Sequence, residues 1–130
     1  MAFENFDPTH IGPYALDPTV VIGRSAVSLV GGVLVPNTSR AVKPLGIVGL
    51  DQEDIDNGYA TKGGAAKVQY HAIARALSGG VITAGDNLVV GATGALESGA
   101  LAGGWSVGTA LTDAAAGEVF TILVDVRYVA

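Results

Sequence analysis

The chain has 130 residues, enough for one domain or one domain with an arm. Its formal net charge is −5, only 15% of residues are charged, and there is no cysteine. Such a surface does not suit a nucleic-acid backbone, whose binding depends on clustered Lys and Arg, nor an anionic membrane. Disulfides and thiolate metal sites are excluded outright.

Aromatic residues make up 6% of the chain, while glycine supplies 19 positions. Small side chains bury little apolar area each, at about 25 cal/mol per Å². A core built from them is modestly stabilising, and burial against further copies or a partner would add what is missing. Sparse surface charge also fits a surface that protein covers.

Residues 1–19 differ from the rest. They hold Pro8, Pro13 and Pro18, the aromatics Phe3, Phe6 and Tyr14, and His10. Prolines at this spacing forbid a long helix and argue against a central strand, so the segment reads as an extended arm. It opens without a basic region followed by an apolar run, so no secretory signal is expected. The anchors expected of the arm, toward a partner or a neighbouring copy, are Phe3, Phe6, His10 and Tyr14.

From residue 20 to 130 the reading is a β domain of short strands. Short strands are expected at 20–22, 25–30 and 33–35, the last two flanking a Gly31-Gly32 turn. Arg24, Gly31 and Gly32 break this apolar stretch, which is too short to span a bilayer. Asn37-Thr38-Ser39 has the form of a glycosylation acceptor, without a secretion signal to give it meaning. A strand is expected over 45–50, followed by an acidic helical turn at 51–57. Residues 67–77 alternate with period 2, Val68, Tyr70, Ala72, Ala74 and Ala76 facing one way, and read as one long strand. Further strands are expected at 81–82, 87–90, 105–111 and 119–129, with a helical turn at 112–117. In the last strand Phe120, Ile122, Val124, Val126 and Tyr128 share a face.

A long phrase also appears twice. Gly31-Gly32-Val33-Leu34-Val35, then 45–50, then 63–68, is matched by Gly85-Asp86-Asn87-Leu88-Val89-Val90, then 106–111, then 114–119. Repeats of short strands and glycine bends describe a scaffold. The expected class is therefore all-β, a small barrel or sandwich with an extended N-terminal arm and two diverged repeats in the body.

Reactive chemistry is nearly absent. Gly104-Trp105-Ser106-Val107-Gly108 matches the G-x-S-x-G nucleophile elbow, but that motif needs a following helix and a later His. Both His10 and His71 precede Ser106. Asp51, Glu53, Asp54 and Asp56 suggest a cation loop, yet Gly64 falls where an EF-hand needs its bidentate Glu. The acidic loop is expected to face solvent or a partner's basic patch. Lys62 lies among glycines without phosphate-loop order, and two separated histidines do not make a zinc site. No cofactor, metal or catalytic residue is expected.

The stretch Val81-Ile82-Thr83-Ala84-Gly85-Asp86-Asn87-Leu88-Val89-Val90, continuing through Gly94-Ala95-Leu96, carries a resemblance. So does Val107-Gly108-Thr109-Ala110-Leu111-Thr112-Asp113-Ala114-Ala115-Ala116-Gly117-Glu118-Val119-Phe120-Thr121-Ile122-Leu123-Val124. Together they resemble the small head decoration, or capsid cement, proteins of tailed bacteriophages. The resemblance covers about a third of the chain well. It implies a non-enzymatic structural virion protein on the outer capsid surface, made in the bacterial host cytoplasm. Its implied partners are a major capsid protein, whose neighbouring subunits it bridges, and itself, as a homotrimer; no nucleic acid and no membrane are implied. The alternative is a carbohydrate- or cell-surface-binding β module, for which Trp105 and Tyr59 are the available platforms.

Overall fold

A computed structural model of the protein describes residues 10–16, 20–57, 66–69, 72–99 and 103–130. The chain is nearly all β, as the alternation predicts. The first five strands are β1 (His10–Leu16), β2 (Ala26–Val30), β3 (Val33–Pro36), β4 (Gly46–Val48) and β5 (Ala66–Gln69). They close into a barrel in the order β1-β3-β2-β4-β5. Among the described residues a single short helix, α1 (Gln52–Asp56), lies between β4 and β5 and buries Ile55. The second five are β6 (Ala72–Leu77), β7 (Asn87–Val90), β8 (Leu96–Ser98), β9 (Gly104–Ala110) and β10 (Val119–Val129), in the order β6-β10-β9-β7-β8.

These two orders are one topology used twice. When β1 to β5 are matched in turn with β6 to β10, every neighbouring pair corresponds and has the same sense. Thus β1–β5 and β6–β10 are antiparallel, as are β4–β5 and β9–β10, β2–β4 and β7–β9, and β2–β3 and β7–β8. The parallel β1–β3 pair has its counterpart in a parallel bridge from Ser78, just past β6, to Leu96 of β8. The turns match too. Ser25 N–H bonds Ile22 O at 3.3 Å, and Asp86 N–H bonds Thr83 O at 3.0 Å, 61 positions later. Arg24 and Gly85, also 61 apart, both have positive φ, at 59° and 93°. Arg24 is the only non-glycine with positive φ among the described residues.

The sequence phrase aligned the second and third segments as the topology does, but it began one strand late. It set Val33-Leu34-Val35 of β3 beside β7, whose counterpart is β2. The Gly31-Gly32 pair drew that alignment. Its real role is a two-residue hairpin turn with both φ angles positive, at 59° and 81°.

Four other expectations change. The long strand expected over 67–77 is two strands in two different sheets, β5 and β6. Its alternation in sequence runs unbroken across the boundary, and in β6 it turns Ala74 and Ala76 inward. Residues 20–22 form no strand, although Val21 is fully buried. The helical turn expected at 112–117 is instead a bridge from Ala114 to Ile82 and a turn at Gly117, φ 83°. Finally, residues 10–16, expected as part of the arm, are strand β1, with partners on both sides. Pro13 is accommodated because the β1–β5 register shifts between Ile11 and Tyr14, where the ladder needs no N–H from it.

Two cores result. The first holds Leu16, Val21, Val27, Leu34, Val48, Leu50 and Ile55 inside the first barrel. The second is lined by Leu88, Leu96, Val107, Phe120, Ile122 and small alanines, and it also takes Ala26 and Ile47 from the first unit. Strands β2 and β4 thus turn Val27 and Val48 inward and the adjacent Ala26 and Ile47 outward onto the second unit. Burial on both faces explains why this region reads as a continuous apolar run rather than an alternation.

A candidate interface at the junction of the two units

The segment after β3 builds the junction. Asn37 is buried, and its Nδ2 donates to Ser28 Oγ at 2.9 Å and to Val42 O at 3.0 Å. Ser28 Oγ in turn donates to Lys43 O at 3.4 Å. This small network holds residues 37–43 against β2. The burial of Asn37 also removes the meaning of the Asn37-Thr38-Ser39 triplet as a glycosylation acceptor in the folded chain.

From there the segment reaches the second unit. Trp105 N–H donates to Arg40 O at 2.9 Å. Lys43 Nζ lies 5.4 Å from the Trp105 ring centroid, a cation–π contact. On its other side Trp105 meets Tyr128 edge-on, centroids 5.5 Å apart at 71°. Trp105 is therefore clasped between neighbours and half-buried, not a bare platform for a sugar ring. Tyr59, the other platform considered, lies outside the described residues.

Beside this clasp a groove of about 590 Å³ opens between the units. Leu29, Val30, Val42 and Lys43 line it from the first unit, and Asp125 and Val126 from the second. Val30 is 63% exposed and Val42 52% exposed, so water meets apolar side chains here. A second apolar surface lies on the outer face of the second sheet, where Ile73 and Leu123 are cross-strand partners and both exposed. Contiguous apolar exposure of this kind marks protein-contact surfaces.

The free edge of β2 adds directionality. Asn37 N–H bonds Ala26 O at 3.0 Å, so Ala26 and, by alternation, Ser28 and Val30 point their main-chain groups at β3. Leu45 N–H bonds Val27 O at 2.8 Å on the other side. Leu29 points that same way, into the groove, and no partner for its main chain occurs among the described residues. The next residue in that alternation on the facing segment is Lys43, whose carbonyl accepts from Ser28 Oγ at 3.4 Å.

The remaining sequence candidates are dispersed. Ser106 is buried in mid-strand in β9, opposite Arg127, with no helix following it. His10 is in β1; His71 and Lys62 lie outside the described residues. Of the acidic loop, Asp51 pairs with Arg24, whose Nε lies 2.9 Å from its Oδ1. That hydrogen bond, with the nearby charges of Arg24 and Arg75, holds the Asp51 carboxyl below its ordinary range against a smaller opposing effect of burial. Asp56 Oδ1 accepts from Gln52 Nε2 at 2.9 Å. No group of three acidic or histidine side chains that would hold a metal ion occurs among the described residues. Of the expected arm anchors, Phe3 and Phe6 lie outside the described residues. His10 and Tyr14 are backbone partners of Gln69 and Ala66 within the barrel. The junction groove was not foreseen, since its walls come from segments far apart in the chain.

The fold and its exposed surfaces define a class: a small all-β protein of two like-topology units with an apolar contact surface at their junction. No family model matches the chain, and no curated protein does. Among solved structures it is similar to the N base of the head fibre gp8.5 of bacteriophage phi29. The TM-score is 0.59 at 17% identity, over 81% of this chain and 85% of that one. At that identity the likeness is one of fold.

Proposed function

We propose that this chain is a structural protein of a bacteriophage virion that binds the outer surface of the head and stabilises it by bridging neighbouring capsid subunits. The observation that carries the reading is the shared fold with the base of a phage head fibre, over most of both chains. The resemblance of 81–96 and 107–124 to head decoration proteins points the same way. So does the surface: apolar side chains are exposed in two places, at the junction groove and at Ile73 and Leu123. A protein held between neighbours on a shell needs contacts of this kind on more than one side.

In this reading the protein is a homotrimer, at least when bound, and is not an enzyme. Its partners are the major capsid protein and itself. Many identical contacts on one shell make a strong staple even where each is weak. Phe3 and Phe6 of the arm, with His10 and Tyr14 of β1, serve the contact with the shell or with a neighbouring copy. The test is sedimentation of the purified protein with heads of the phage that encodes it. Saturable binding to expanded heads is expected; protein that stays in the supernatant at every concentration would sink the proposal.

A further inference from the structure

We infer that the contact joining the two units within one chain is repeated between chains. The outer face of the second unit, around Asn87 and Thr109, docks on the Gly31-Gly32 end of the first unit of a second copy. The inference deepens the reading above and rests on its self-association, not on contact with the shell.

Within the chain this contact has an offering side and a receiving side. The first unit offers the start of β2 and the adjoining β4. Ala26 and Ile47, register partners on these strands, turn outward and are fully buried in the core of the second unit. Main-chain bonds frame them: Ala26 N–H donates to Gly94 O at 2.8 Å, and Leu77 N–H donates to Arg24 O at 2.9 Å. The second unit receives with its β7–β8 turn and the end of β6. A Cβ on Gly94 would lie 3.1 Å from Ala26 O and 3.5 Å from Asn37 O, so the first unit closes over this turn.

The duplication sets both sides out a second time, at the surface. Asn87 and Thr109, register partners in β7 and β9, stand where Ala26 and Ile47 stand in β2 and β4. Asn87 is exposed and Thr109 half-buried. Gly85 stands where Arg24 does, and neither its C=O nor the Asn87 N–H has a partner among the described residues. On the receiving side the Gly31-Gly32 turn matches the β7–β8 turn. Ala15 matches Leu77, because Leu16 bridges Leu34 as Ser78 bridges Leu96. Ala15, Gly31 and Gly32 are all exposed, and a Cβ on either glycine would meet no described atom within 4 Å. The two sides thus do not meet within one chain, and a second copy is the occupant.

The side chains suit a contact made between separate copies. Ala26 and Ile47 never leave their partner, whereas Asn87 and Thr109 must meet water before assembly, and they are polar. Apolar area lies beside them. Asn87, Thr109, Leu123 and Ile73 form one row across β7, β9, β10 and β6, and Leu123 and Ile73 are exposed. Val30, beside the receiving turn, is exposed as well. An apolar patch with polar neighbours is the make-up of a protein–protein contact. Because the two sides are unlike, the contact runs head to tail, and it closes into a ring where the rotation allows.

The chain has no cysteine, so introduced thiols report this contact alone. Asn87→Cys and Val30→Cys are prepared separately, and circular dichroism checks that each is folded. The two are mixed and treated with a short bismaleimide, in concentrated free protein and on phage heads. In at least one setting a mixed dimer that outweighs either homodimer several-fold is expected, and the double variant should link into longer chains or closed rings. Adding Leu123→Lys to Asn87→Cys should lower the mixed yield several-fold and leave the melting temperature nearly unchanged. Predominance of either homodimer would overturn the inference, since like surfaces would then be meeting. So would a double variant linked only within single chains, or no link in either setting. Head binding of the wild type is scored separately by sedimentation. Binding without a mixed dimer overturns this inference alone, and a mixed dimer without binding supports it while overturning contact with the shell.

Discussion

Arg24 holds the position that Gly85 holds in the second unit, and this makes a sharp test of the duplication. An L-residue at φ 59° carries a cost of about 1–2 kcal/mol that glycine does not. Arg24 offsets it with a hydrogen-bonded ion pair to Asp51, 2.9 Å long, but Asp51 is 59% exposed and the pair contributes at most about 1 kcal/mol. The main-chain bonds of Arg24, its N–H to Leu50 O and its C=O from Leu77 N–H, both 2.9 Å, survive any side-chain change. Arg24→Ala therefore loses the ion pair and keeps the strain, costing up to about 1 kcal/mol. Arg24→Gly loses the same pair and removes the strain, at an entropic cost of roughly 0.4–1 kcal/mol in the unfolded chain. The glycine variant should equal or exceed the alanine variant in stability, by up to about 1 kcal/mol. The reciprocal change, Gly85→Ala, should cost about 1–2 kcal/mol. Urea denaturation followed by fluorescence of Trp105, the single tryptophan, reads all three. An Arg24→Gly variant less stable than Arg24→Ala by 1 kcal/mol or more (well outside the error expected for matched m values) would refute the argument from position.

Four further outcomes are expected. Asn37→Ala leaves Ser28 and Val42 O without their donor and should cost about 1–3 kcal/mol in the same assay, loosening the segment that lines the groove. Gly108→Ala drives a Cβ into the Leu123 carbonyl oxygen across the β9–β10 pair, so a loss of about 1–3 kcal/mol or failure to fold is expected by thermal melting. The Asp51 carboxyl is depressed in the folded state, so its stabilisation is complete above the unfolded pKa and disappears as pH falls through the folded one. Wild type should lose stability on acidification slightly more than Asp51→Asn, by less than about 1 kcal/mol, in melts followed from neutral to acid pH. Ile73→Lys should leave the melting temperature nearly unchanged, because Ile73 is 63% exposed, while lowering occupancy on phage heads.

Several elements were legible because local pattern and tertiary role coincide. Strand β10 turns Phe120, Ile122 and Val124 inward in alternation, and its bounds match the sequence reading. Strand β7 and the β2–β3 hairpin, with its glycine pair, were equally plain. The break between β5 and β6 was not, since the same period continues across it and nothing local marks the passage from one sheet to the next. Strand β8 escaped because Leu96-Glu97-Ser98 is three residues among glycines, and its pairing with β7 is what makes it a strand. Strand β1 was hidden by Pro13, which a register shift absorbs, and by the prolines flanking it in sequence. The site was least visible of all. Lys43, Trp105 and Tyr128 are far apart in sequence and meet only because the segment after β3 crosses to the second unit. The Ser106 motif, by contrast, is a pattern without its structure, and a fluorophosphonate probe should leave Ser106 unlabelled.

The central claim is that this chain is a head protein acting at the outer surface of a capsid. Electron cryomicroscopy of heads from the phage that encodes it, with and without the protein bound, tests it most directly. The account predicts added density on the outer surface, fitted by the two-unit fold in groups of three copies, each group touching more than one capsid subunit. Unchanged heads, or isolated single copies that each touch one subunit, would contradict it.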